Sequence, residues 1–477
     1  MEPNSQTGSR QAILQAACIA SVVVTAGFVF WPALSFDFVS WGDPLHVSAP
    51  GLAPASVVGQ SDTTFAPVAT ASLAIDRTLW GTHSTGFHLT SVLLHLVNAS
   101  LVFLLIRRFT NSTIIAWATA IIFSVHPVQV ETVVWVSARG TLVGTTAALG
   151  SLLFGLRDNR GRGAAIGSIV CLVMAILANI SFVVTPLVLV AFDVLVKQKR
   201  MSHAIRESRI SLLAAGVTGS LCLMRSAAAT TLIDSSGVTV PEAFAMKVTA
   251  LWSYLGMLVL PRDLCIAYSP MADTTSVAAS FCAAVVGLTA TVLCVLKLRK
   301  VRPRLAFAAA TLGLLLLPAL LFSSYQTSLL SDQFLYMPSV AFACMLASAI
   351  VGFGQLIERP LGRIAANTTN LVATCGLAGL LAFAATDYLP VWNNSSTFWE
   401  HVAAQLPDAV EVRIQQANAL RYQGRETDAL VALQNALKQF PRGTAAREQV
   451  DSLMKDWLLQ STEQTLKRRS AHRTTLM

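Results

Sequence analysis

The chain has 477 residues, 54% of them apolar and only 12% charged, and its mean hydropathy is +0.60. A water-soluble domain carries roughly a quarter of its residues charged, so lipid rather than water is the solvent that fits. The formal charge of +9 does not indicate a nucleic-acid partner, because the basic residues stand in short clusters between apolar runs, where topology signals belong.

Runs apolar enough to enter a bilayer recur from the start of the chain, near 12–35, 88–106, 113–125, 141–156, 164–180, 182–196, 210–226, 246–260, 275–297, 305–323, 336–357 and 368–388. A full crossing takes about 20 residues, and several of these runs are shorter. The first follows only Arg10 and lacks a small-residue cleavage site, so it reads as an anchor. With the N-terminus in the cytoplasm, and with 246–260 re-entrant or interfacial, eighteen Lys and Arg residues before the tail fall on the cytoplasmic side and five on the other. That asymmetry is the positive-inside pattern. It gives about 11 crossings, with a twelve-crossing arrangement as the alternative. The longest extracytoplasmic segment is then 36–87, with Asp37, Asp43, Asp62 and Asp76 among prolines and glycines.

The eight cysteines lie in or beside apolar stretches and form no CxxC pair, so neither a disulfide framework nor a zinc site is indicated. They read as small buried hydrophobes.

Beyond residue 388 the character changes. Ala417, Ala429, Ala436 and Pro441 occupy the small-residue and proline positions of a 34-residue helical repeat, with Gly424 at the inter-helix turn and Pro407 one period before Pro441. Small residues let two antiparallel helices approach, and proline stops the second. Residues 389–464 are therefore expected to form a tetratricopeptide-like helical tail, with a plain helical hairpin as the alternative. Residues 465–477, with Lys467, Arg468, Arg469 and Arg473, form a basic terminus expected to fray.

Four stretches carry polar residues that hydrocarbon would normally exclude. They run from Phe36 through Asp43 to Pro44; from Gly86 and His88 to His95 and Asn98; from His126-Pro127 through Glu131 and Trp135 to Arg139; and from Asp332 through Tyr336 to Pro338. With Tyr254-Leu255-Gly256 leading to Pro261, and Trp392-Asn393 entering the tail, this ordered set resembles the tetratricopeptide-tailed membrane glycosyltransferases of the GT-C fold, the group that includes the membrane O-mannosyltransferases. The expected fold is thus all-α: a polytopic GT-C-like transmembrane bundle over 1–388 and an extracytoplasmic helical tail.

What the resemblance implies is a polyprenyl-phosphate sugar donor and an extracytoplasmic acceptor hydroxyl, on a protein or peptide that the tail could bind. Such chemistry needs a carboxylate to take the hydroxyl proton and cations or imidazoles to hold the departing phosphate. The resemblance points to Asp43 as the base, to His126, Glu131 and Arg139 as donor-binding residues, and to Asp37, Asp76, Asp332 and Tyr336 as support. It assigns no metal ligands and no cofactor, and leaves a divalent ion open. Each residue keeps a plainer reading. Asp43 also suits a turn before Pro44, His126 and Glu131 suit a helix mouth, and Arg139 suits an anchor at headgroup depth. Asp76-Arg77 reads as a surface ion pair. His88 and His95, two turns apart, suit interhelical hydrogen bonds better than metal. Asp193, just before Lys197, suits an interfacial cap.

Departures from the family pattern cluster in its polar set: Gly42 in place of one acidic residue, Gln129 for a histidine, Gly140-Thr141 and Asn179-Ile180 for charged pairs, and Gln333 for an arginine. These support a second reading, a catalytically degenerate relative that serves as a membrane-anchored scaffold. A transporter is disfavoured, because neither deep ionisable residues nor an inverted repeat is apparent.

Overall fold

The computed structural model describes residues 3–43, 65–156, 161–229, 240–265, 289, 292–293, 295–322, 331–441 and 443–474. Residues 44–64 of the long loop and most of the expected run 275–297 lie outside them. Among the described residues every regular element is helical. In the first of two units, Met1–Asn393, these are α1 (Pro3–Phe30), α2 (Pro67–Trp80), α3 (Ser84–Thr110), α4 (Thr113–Val125), α5 (Gln129–Val134), α6 (Arg139–Gly155), α7 (Arg162–Ala178), α8 (Thr185–Leu195), α9 (Met201–Ala229), α10 (Val240–Val259), α11 (Pro303–Phe322) and α12 (Pro338–Tyr388).

Among the described residues four helical stretches are long and apolar enough to cross a membrane: Arg10–Ser35, Ser84–Thr110, Pro303–Leu320 and Pro338–Trp392. Shorter apolar helices accompany them, including Thr113–Val125, Arg162–Ala178 and Ile180–Leu195. At 1.5 Å per residue, α4 is about 20 Å long, less than the roughly 30 Å of a hydrocarbon core. This set of helices is compatible with a multi-pass membrane protein. The two runs expected at 336–357 and 368–388 form one long helix, broken at Gly362, whose φ of 83° lies in the left-handed region. Pro360, two residues earlier, lacks the amide that would continue the hydrogen-bond ladder.

Local sequence explains the helix ends. α3 stops at Asn111, which takes the left-handed conformation (φ 56°) that asparagine tolerates. Ser112 then opens α4, its hydroxyl accepting from the Ile115 N–H at 3.3 Å. Proline sits in the first turn of α2 and of α12, where its missing N–H removes no helical bond.

α3, α4 and α6 pack together, α12 lies along α4, and α11 lies along α12. A buried polar network crosses this core. The Tyr336 hydroxyl lies 2.7 Å from His95 Nδ1 and accepts from Asn98 Nδ2 at 3.2 Å. His95 Nε2 meets the Ser124 carbonyl at 2.9 Å, and Asn98 reaches the Leu142 carbonyl and the Thr146 hydroxyl. His95, as expected, makes interhelical hydrogen bonds, and Tyr336 joins the segment just before α12 to α3.

The second unit, Asn394–Met477, holds α13 (Ser395–Gln405), α14 (Val410–Tyr422), α15 (Glu426–Gln439) and α16 (Ala445–Thr474). Asn394 caps α13, accepting from the Ser396 and Thr397 amides, and Thr397 returns the bond to the Asn394 N–H. Ala417, Ala429 and Ala436 are all buried in the α14–α15 core with Leu433 and Phe440. Gly424 turns the chain between the two helices with φ 77°.

Candidate functional site

The polar residues from separate stretches meet around the segment from His126 to Thr141. Asp43 arrives on the turn that follows α1. Gly42 has φ 86°, and a Cβ there would meet Ser137 Oγ at 2.9 Å, so only glycine fits this approach. The Asp43 carboxylate is buried. Its Oδ2 accepts from the Val39 N–H at 3.1 Å, and its Oδ1 accepts from the Ser137 N–H at 3.0 Å and the Ser137 hydroxyl at 2.7 Å. Trp135 Nε1 donates to the Trp41 carbonyl at 2.7 Å and fixes the same turn from the other side. Ser137, two residues before Arg139 in an already marked stretch, is a site residue that sequence reasoning missed.

Arg139 opens α6 and is fully buried. It donates to Asp76 Oδ2 at 2.6 Å, the Phe87 carbonyl at 2.8 Å, and the hydroxyls of Ser72 and Ser91 at 3.2 Å. Asp76 also accepts from the Thr90 hydroxyl at 2.8 Å. The expected surface pair Asp76-Arg77 is therefore corrected: Asp76 is 2% exposed and its partner is Arg139. The helical turn of α2 points Asp76 inward, which adjacency in sequence could not indicate. The headgroup-depth anchor for Arg139 is likewise replaced by a buried clamp of α2 and α3 onto α6.

His126 and Glu131 are also buried. His126 Nδ1 accepts from the Val128 N–H at 3.3 Å, which leaves Nε2 to donate to the Leu258 carbonyl at 3.1 Å. Burial lowers its pKa to about 4, so the ring is neutral at ordinary pH. Glu131 accepts from the Asp332 N–H at 3.0 Å, the Gln333 N–H at 3.3 Å and the Ser331 hydroxyl. It caps the 3-10 helix Asp332–Leu335 from a distant segment. Burial pushes its carboxyl up to about 7.

Asp332 is buried beside this cap, whereas Asp37 is exposed. His88 is buried under the turn, its ring tilted against Phe38 at 6.3 Å. The backbone of Asp37, Val134 and Phe36 surrounds it. Asp193, outside this region, is buried and faces Lys197 and Lys199 at 3.8 and 3.6 Å. Among the described residues no cluster of His, Cys, Asp or Glu has the spacing to hold a metal ion.

Three positions noted as departures from the family pattern come together. Asn179 Nδ2 donates to Thr141 Oγ1 at 3.1 Å, and Thr141 donates to Gln333 Oε1 at 3.3 Å. They line a pocket of about 360 Å³. Their meeting is not legible in the sequence, because they are distant in the chain.

No family model matches the chain. Parts of it are similar to O-mannosyl-transferases. Protein O-mannosyl-transferase F38B6.6 of Caenorhabditis elegans is 26% identical over 219 residues, 44% of this chain and 31% of the relative. Protein O-mannosyl-transferase TMTC1 of Homo sapiens is 29% identical over 126 residues, 26% of this chain and 14% of the relative. The matched region thus spans less than a third of either relative's length. These names suggest a glycosyltransferase-like function.

Proposed function

We propose that this chain is a membrane glycosyltransferase-like protein that moves a sugar from a polyprenyl-phosphate donor to an extracytoplasmic acceptor hydroxyl, with Asp43 as general base. The observation that carries this reading is the clamped Asp43 carboxylate, held by Val39 and Ser137 directly after the first apolar helix. A base acts only where geometry brings it to the acceptor proton, and a carboxylate gripped by three donors is fixed in that sense. Similarity to two O-mannosyl-transferases supports the reaction class. In this reading His126, Glu131 and Arg139 serve the donor side of the site, and their contacts with Leu258, Ser331 and Asp76 hold that segment in place. The N-terminus lies in the cytoplasm, about 11 crossings follow, and the tail is extracytoplasmic and tetratricopeptide-like, suited to a protein or peptide acceptor.

A specific observation favours a second reading. Arg139 is closed onto Asp76, and neutral side chains stand at Thr141, Asn179 and Gln333. Both fit a degenerate relative that acts as a membrane-anchored scaffold through its tail. The test is transfer of labelled mannose from a polyprenyl-phosphate donor to a serine- and threonine-rich peptide by the purified full-length protein. Transfer supports the enzyme. Its absence, together with peptide capture by the tail, supports the scaffold.

A further inference from the structure

The pocket at Thr141, Asn179 and Gln333 has a second cavity beside it. This one, about 500 Å³, lies among α3, α6, α8, α11 and α12 and is walled by Leu105, Phe109, Leu152, Val188 and Phe307. The two cavities share Leu315 of α11 and Met337 as common wall residues. One is therefore polar at Thr141, Asn179, Ser181 and Gln333, the other is almost wholly apolar, and they adjoin. Among the described residues lining either cavity, none is charged.

The polar side is arranged to offer donors. Asn179 Oδ1 is occupied by the Ser181 N–H at 3.0 Å. One Asn179 amide proton goes to Thr141, whose hydroxyl proton goes on to Gln333 Oε1. That relay orients the Gln333 amide so that its Nε2 protons have no partner among the described residues, and a second Asn179 proton is in the same position. Pro318 lines this pocket from within α11 and leaves the Leu314 carbonyl without its helical amide. In the apolar cavity the buried Thr311 hydroxyl has no hydrogen-bond partner. Neutral donors and an acceptor at one end, with an apolar chamber at the other, match an amphipathic molecule with a hydroxylated head. A terminal phosphate would enter a pocket whose lining supplies no counter-charge, and desolvating it there is costly.

We propose that the adjoining cavities form one binding site for a lipid with an uncharged, polyhydroxylated head, the head at Asn179 and Gln333 and the chain beyond Leu315 and Met337. This stands apart from the transfer reading, since a transferase and a scaffold could equally hold such a lipid, and its test reads occupancy rather than product.

The test uses purified full-length protein in detergent, incubated with monohexosyl-diacylglycerol or with phosphatidic acid of the same acyl chains, and native mass spectrometry. The hexosyl lipid should bind roughly tenfold more tightly than phosphatidic acid. The double variant Asn179→Ala with Gln333→Ala should lose roughly tenfold in hexosyl-lipid affinity, the worth of two ordinary hydrogen bonds. Leu315→Trp should obstruct the shared wall and weaken binding of the hexosyl lipid. Gln333→Lys, which adds the missing cation, should shift preference towards phosphatidic acid and keeps the test open if Leu315→Trp does not fold. Equal binding of both lipids by the wild type, or unchanged occupancy in the double variant, overturns the proposal.

Discussion

Arg139 and Asp76, 63 residues apart in sequence, meet at 2.6 Å with both side chains withdrawn from solvent. The pair joins α2 to the start of α6, and the other terminal nitrogen of Arg139 ties in α3 through Phe87 and Ser91. A guanidinium spread over four partners holds these helices in place.

Removing one member of this pair should be costly. Arg139→Ala leaves the Asp76 carboxylate buried without its cation, and should destabilise the protein by about 3–5 kcal/mol. Arg139→Lys should also fail, because an ammonium cannot reproduce the planar fork that reaches Asp76 and Phe87 together. Replacing both residues by apolar ones of similar volume, Arg139→Met with Asp76→Leu, should recover most of the loss. Thermal melting in detergent measures all three. Wild-type melting in Arg139→Ala contradicts the clamp.

This pair also marks where sequence reading ran out. The apolar runs near 12–35, 88–106 and 305–323 announced α1, α3 and α11, because hydropathy is a local property. The alanines at 417, 429 and 436 announced a packed helical hairpin for the same reason. Asp76 was read with its neighbour Arg77 because sequence offers only neighbours. Its inward direction depends on how α2 docks, which no local pattern encodes. Glu131 is a similar case: its position in a motif suggested ligand contact, yet its oxygens cap residues 331–333, about 200 positions away. The meeting of Thr141, Asn179 and Gln333 likewise exists only once α6, the end of α7 and the 3-10 helix Asp332–Leu335 are packed.

Glu131 makes a pH prediction. Its carboxyl is raised from 4.5 to about 7 by burial, so between these values the folded protein holds a proton that the unfolded chain has released. The stabilisation is fully present below about pH 4.5 and is lost as pH rises to about 7, on the order of 3 kcal/mol in all. Glu131→Gln imitates the protonated form and should flatten this dependence, matching the wild type at pH 5 and exceeding it at pH 8. Melting temperatures across that interval decide it. A variant that tracks the wild type at every pH contradicts the assignment.

Packing in the tail is close at Ala429, which is fully buried between α14 and α15. Ala429→Trp should therefore cost about 1–3 kcal/mol by overpacking, read as a lowered melting temperature of residues 394–477 by circular dichroism. The exposed Val431 beside it should tolerate change with little effect. Equal melting of wild type and Ala429→Trp contradicts a hairpin held by its small residues.

The proposed topology places the Lys197–Arg209 segment in the cytoplasm and the tail on the opposite side. Exposed Met201 and Val431 are suitable sites for single reactive cysteines, whereas Gly424, with its positive φ, would resist substitution. In a background without the native cysteines, an impermeant thiol reagent applied to sealed cells should label Val431→Cys and spare Met201→Cys. Labelling of both from one side contradicts the arrangement.

The most direct measurement compares sugar transfer by the wild type and by Asp43→Asn, using a labelled polyprenyl-phosphate mannose, an acceptor peptide and full-length protein whose melting is checked in parallel. Asparagine keeps the size and polarity of the side chain but cannot take a proton. The account predicts measurable transfer by the wild type and a fall of about 100-fold or more in Asp43→Asn with the fold retained. Equal transfer by the two proteins, or none by a correctly folded wild type, would contradict it.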